Sequence, residues 1–98
     1  MIVVHNIFHL KFGKAKEGIA LWREGLKMLE KSGFKASRIL ADVTGTYYTL
    51  IHESEFSSLS DFEKQHQSAQ GQAEWQKWYE KFVPLVESGR REIYRVVE

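Results

Sequence analysis

The order of hydrophobic periodicities constrains this chain more than any other feature. Residues 2–12 alternate: Ile2, Val4, Phe8, Leu10 and Phe12 share one face, with Asn6 as the polar exception. Val3, His5, Ile7, His9 and Lys11 share the other. Period two with β-branched residues predicts a strand with one apolar and one mixed face. Gly13-Lys14 supplies a turn, and residues 15–31 then switch to helical spacing. Ile19, Trp22, Leu26 and Leu29 recur at steps of three and four, opposite Arg23, Glu24, Lys27, Glu30 and Lys31. Gly18 and Gly25 each lower helix propensity by about 1 kcal/mol, so close packing is expected there. Ser32-Gly33 ends the helix. Strands are predicted over 36–43 and 46–56, joined tightly at Thr44-Gly45, where glycine supplies the positive φ of a short hairpin turn. Ser60 and Glu63 form an S-x-x-E capping box. Leu59, Phe62, His66 and Ala69 then share a helix face, Gly71 marks a bend, and Trp75, Trp78, Phe82 and Val86 continue at helical spacing. Pro84 kinks or ends that helix, Gly89 closes the segment, and a last strand is predicted over 91–97.

The resulting order is β-α-β-β-α-β. With right-handed crossovers this is an α+β, ferredoxin-like fold: a four-stranded antiparallel sheet of order 4-1-3-2 with two helical segments on one face. The 98 residues suit one domain, 1–98. The second sheet face is left bare. A mixed bare face either packs on another sheet or lines a pocket, and both happen when two copies stack face to face as a homodimer. Thirteen aromatic residues are a large apolar load for so short a chain, and part of it is expected in a subunit interface.

Charge and motifs exclude several classes. A formal charge of +1 with no basic block lacks the footprint of a nucleic-acid binder. No apolar run approaches the roughly 18–20 residues of a membrane span, and the first residues have no basic n-region or cleavage site. With no cysteine, the expectation is a cytoplasmic protein. No Gly-rich phosphate loop, H-E-x-x-H or G-x-S-x-G occurs, so no cofactor is expected. His5 and His9 lie about 13–14 Å apart along a strand. They cannot share one ion, and a metal would need His5 with Glu53 across the sheet. No metal is expected.

The candidate site residues fall on the bare face. Val3, His5, Ile7 and His9 would meet Tyr47, Thr49, Ile51, Glu53 and Glu55 there. Glu53 and Glu55 point the same way, and paired carboxylates raise one another's pKa, as a general base requires. The competing reading pairs them with Arg38, Arg91 or Arg95. A Tyr47 hydroxyl beside a histidine suits an enol or phenol substrate, or is simply an amphipathic wall. His5, His9, Tyr47 and Glu53 are therefore the catalytic candidates, and Ile7, Thr49, Ile51 and His66 the ligand-binding ones. Trp22, Trp75 and Trp78, at helical spacing, are expected in the core and interface.

Short motifs add a family resemblance. His52-Glu53-Ser54-Glu55-Phe56-Ser57-Ser58-Leu59 resembles the H-x-x-E-aromatic-x-S-L stretch of the NIPSNAP-like branch of the dimeric α/β-barrel superfamily, and Glu74-Trp75-Gln76 its E-W-Q. Phe12-Gly13-Lys14 after an alternating strand resembles the antibiotic-biosynthesis-monooxygenase branch, whose second-helix histidine is matched by His66. Ser54 and Glu55 stand where the first and second branch, respectively, commonly have Trp. The resemblance implies two sheets stacked as a dimeric barrel. It also implies a pocket between sheet and helices for a small hydrophobic, aromatic or polyketide-like molecule. Two functions follow from it: cofactor-independent, monooxygenase-like chemistry on an easily ionised substrate, or a non-enzymatic dimeric interaction or ligand-sensing module.

Overall fold

The computed structural model describes residues 1–34 and 36–98. The elements run β1 (Ile2–Leu10), α1 (Ala15–Lys31), β2 (Arg38–Ala41), β3 (Thr49–Phe56), α2 (Leu59–Gln70), α3 (Ala73–Phe82), a 3-10 turn (Val83–Leu85) and β4 (Val86–Arg95). The sheet is antiparallel with order β2-β3-β1-β4, the expected ferredoxin-like arrangement. The second helical segment divides at Gly71 into α2 and α3.

The core lies between the sheet and the helices. β1 and β3 contribute Val4, Leu10, Leu50 and Phe56, α1 contributes Trp22 and Leu29, and α2 and α3 contribute Phe62, Ala69, Trp78 and Phe82. The buried stripe of α1 is Gly18, Trp22, Gly25 and Leu29, so the glycines sit at the centre of the contact. A Cβ on Gly18 would lie 2.6 Å from Leu10 Cδ1, and one on Gly25 would lie 2.8 Å from Trp78 Cζ2. Gly18 thus lets α1 approach the sheet, whereas Gly25 seats the indole of α3. That indole is pinned in turn, because Trp78 Nε1 donates to the Leu21 carbonyl at 2.6 Å.

Several boundaries differ from the sequence expectation. β1 ends at Leu10, and Phe12 is exposed rather than facing the helices. β2 is only four residues long. β3 begins at Thr49 because Tyr48 takes a left-handed conformation, φ +58°, while its carbonyl accepts from the Leu10 amide. Tyr47 is therefore in the connection, 75% exposed, and not on a sheet face. The α2 cap is Ser58, whose hydroxyl accepts from the Asp61 amide at 3.2 Å. Ser60 falls inside the first turn, so the capping box predicted there does not form. Gly89 lies within β4 opposite Phe8. A Cβ there would meet the Ile7 carbonyl oxygen at 3.1 Å, so close backbone approach, not chain termination, explains this glycine.

Candidate functional site

Register builds the site. Asn6 of β1 sits opposite His52 of β3 on one side and Arg91 of β4 on the other. These three residues form a polar row across the helix-facing side of the sheet, between rows that hold Val4 and Phe8. α2 lays Phe62, His66 and Ala69 over this row, α3 adds Trp75 and Tyr79, and α1 adds Trp22 and Leu29, leaving a cleft of about 450 Å³. That volume lies within the range typical of small-molecule sites, roughly 300–1,000 Å³.

The hydrogen bonds along the row have a direction. Arginine only donates, so Arg91 Nε, 2.7 Å from Asn6 Oδ1, fixes the asparagine amide. The Asn6 amide nitrogen then faces His52 Nδ1 at 3.3 Å and must donate to it. The His52 proton is thereby placed on Nε2, which donates to Ser37 Oγ at 2.6 Å. The chain Arg91–Asn6–His52–Ser37 has the members of a nucleophile–histidine–amide triad but the opposite polarity. The imidazole gives a proton to the serine and has no free lone pair to take one. His52 is 2% exposed and stacked on Trp22 at 4.6 Å. Burial, and then the Arg91 charge, push its pKa down to about 4, so it is neutral at physiological pH. His66, stacked on Phe62, is also shifted down by burial and then by Arg91.

Two further features mark the cleft. The Arg91 guanidinium lies 5.2 Å from the Phe62 ring centroid, a cation–π distance. Trp22 Nε1 is buried and has no hydrogen-bond partner among the described residues. An unsatisfied buried donor costs about 1–3 kcal/mol.

The outer sheet face carries a separate polar network. Glu53 binds His5 at 3.2 Å and Arg38 at 2.5 Å, and Arg38, then His5, holds its carboxyl below the usual range. Glu92 pairs with Arg90 at 2.8 Å and accepts from the Tyr94 hydroxyl, and Arg90 first, then Tyr94, lowers its pKa. Thr49 Oγ1 donates to the Thr46 carbonyl, so it accepts from His9 Nδ1. His9 Nε2 is then left to accept from Arg90 at 3.3 Å.

The sequence-derived candidates thus divide. His5, His9, Glu53, Ile7, Thr49 and Ile51 share the outer face, by register and by these bonds. Tyr47 stands apart beside Phe12, and only His66 lines the cleft. His5 and Glu53 do meet, but no group of three or more His, Cys, Asp or Glu able to hold a metal occurs among the described residues. Sequence reasoning missed Asn6, His52 and Arg91 as site residues. A signal for two of them existed, since Asn6 and His52 are polar residues on faces otherwise read as apolar. No described helix is long and apolar enough to cross a membrane.

Residues 5–98 match the NIPSNAP family model. The chain belongs to the NIPSNAP family. Solved structures agree on the fold. A NIPSNAP family protein from Agrobacterium tumefaciens has a TM-score of 0.90 at 23% identity, over 99% of this chain and 93% of that one. A NIPSNAP-like domain protein from Burkholderia xenovorans gives 0.89 at 20%, over 98% and 84%. SnoaB, a cofactor-independent oxygenase from Streptomyces nogalater, gives 0.75 at 10%, over 99% and 93%. The likeness to the oxygenase is therefore one of fold, whereas the NIPSNAP match is one of family. No curated protein matches the sequence. The NIPSNAP-like motif that begins at His52 carries the histidine at the base of the cleft.

Proposed function

We propose that this NIPSNAP protein binds a small aromatic or polyketide-like molecule in the cleft between sheet and helices. We further propose that it works as a homodimer of single-domain chains, 1–98, stacked through their outer sheet faces. The observation that carries the binding reading is the cleft itself: aromatic walls from Trp22, Phe62 and Trp75 over a short polar row, the usual composition of a small-molecule site. His5, His9 and Glu53, with Ile7, Thr49 and Ile51, enter function at the contact between copies. The polarity of the Asn6–His52–Ser37 chain favours binding over base catalysis, because His52 Nδ1 is already occupied by a donor. Oxygenase-like chemistry is a second reading. It rests on Arg91, whose charge could stabilise a substrate anion, and on the fold shared with SnoaB.

Titration with planar aromatic compounds, followed by tryptophan emission, tests the binding reading, because Trp22 and Trp75 both border the cleft. Saturable quenching at sub-millimolar ligand, weakened at least tenfold in Trp75→Ala, is expected. Absence of saturable binding across the panel would overturn it. Light scattering at micromolar concentration tests the dimer, and the mass of one chain, 11.5 kDa, would exclude it.

A further inference from the structure

We propose that the cleft selects a planar ligand carrying one negatively charged oxygen group, seated on the outer nitrogens of Arg91. The inference rests on the binding reading above and specifies the ligand's charge. It begins from the charge inventory of the cleft. No aspartate or glutamate borders it among the described residues. Its two histidines, His52 and His66, are both held toward the neutral form. Arg90 borders the cleft too, but its side chain is spent on Glu92 and His9 at the outer face. Of the lysines and arginines that border the cleft, Arg91 remains the one without a carboxylate partner among the described residues.

The posture of Arg91 supports the assignment. Its Nε is committed to Asn6 Oδ1, and its guanidinium carbon lies over the Phe62 ring. Three fixed points (the strand, the amide and the ring) orient the group before any ligand arrives. Nε takes one of the five guanidinium N–H bonds. The remaining four belong to the two terminal nitrogens, for which the described residues offer no acceptor at hydrogen-bond distance. A planar fork of this kind matches a carboxylate or enolate better than a neutral oxygen. The aromatic walls fit a flat body attached to that oxygen group. A single cation without a carboxylate partner matches a monoanion in charge.

The test compares two ligands of one shape. The affinities of 1-naphthoate and of naphthalene-1-methanol are measured by calorimetry at pH 7.5 for the wild type, Arg91→Gln and Arg91→Lys. Circular dichroism checks that the variants fold. The wild type is expected to bind the carboxylate at least tenfold more tightly than the alcohol. Arg91→Gln is expected to remove that preference, and Arg91→Lys to keep part of it. Equal binding of the two ligands by the wild type would overturn the charge assignment and leave the binding reading standing. A preference unchanged in folded Arg91→Gln would do the same. Binding of neither ligand would overturn both.

Discussion

Acidification should destabilise this protein through one imidazole. His52 is buried, stacked on Trp22 and already accepting from Asn6 at Nδ1, so protonation there sets an N–H against an amide donor. Its pKa falls from 6.5 to about 4 on folding. Above pH 6.5 the residue is neutral in both folded and unfolded chains and contributes no pH dependence. Between 6.5 and 4 only the unfolded chain takes the proton, so stability falls with falling pH by about 1.4 kcal/mol per unit. Below pH 4 both states are protonated and the loss levels off. From pH 7.5 to pH 4.5 the expected loss is about 2.5 kcal/mol, a large part of the roughly 5–15 kcal/mol that a domain has. In His52→Gln the side-chain oxygen can accept from Asn6 and the amide can donate to Ser37, while nothing titrates. Urea unfolding at fixed protein concentration, at both pH values, gives the measurement. The wild-type midpoint should fall by roughly 1–2 M more than that of the variant. His66, Glu53 and Glu92 titrate in both proteins and cancel in the difference. Parallel losses in the two proteins would refute the burial argument, and with it the assignment of the His52 proton to Nε2 alone.

Two further outcomes follow from packing. Gly25→Ala places a Cβ 2.8 Å from the Trp78 ring, which cannot retreat without breaking its bond to Leu21. Overpacking of about 1–3 kcal/mol should outweigh the gain of about 1 kcal/mol in helix propensity and lower the melting temperature. Gly18→Ala makes a shorter contact, 2.6 Å, but to the end of the Leu10 side chain, which can rotate, so calorimetric melting should show the smaller loss despite the closer approach. At the start of α2, Ser58→Ala should cost about 1 kcal/mol, lowering the melting temperature by about 4–8 °C, while Ser60→Ala should be nearly silent. Equal effects at the two serines would contradict the observed cap.

The architecture was legible because alternation and helical spacing are local. α1 spans the predicted residues 15–31, and the even positions of β1 face the helices as read. Boundaries were missed where one residue's backbone decides them. Nothing in a Tyr-Tyr pair announces that Tyr48 turns left-handed, and that turn removes Tyr47 from the sheet. The site was half legible. Asn6 stood out as the polar residue on an apolar face, and His52 has the parity of Leu50 and Phe56. Arg91 was not legible, because its place beside Asn6 depends on the β1–β4 register, which shifts between His9 and Leu10. The reading that favoured His5 and Glu53 rested on a real contact, but one on the outer face, bound up with Arg38.

Each polar residue of the cleft row has a chain neighbour in the opposite network: Asn6 beside His5, His52 beside Glu53, Arg91 beside Arg90. The sheet therefore has something like a reading frame. Deleting one residue from β1 would swing His5 under the helices and turn Asn6 outward, exchanging the two networks at a stroke. A deletion in β3 would do the same to Glu53 and His52. Variation in length is accordingly to be sought in the connection between β2 and β3, residues 42–48, where most residues are exposed, and not between Ile2 and Leu10 or between Thr49 and Phe56, where even conservative indels would scramble both faces together.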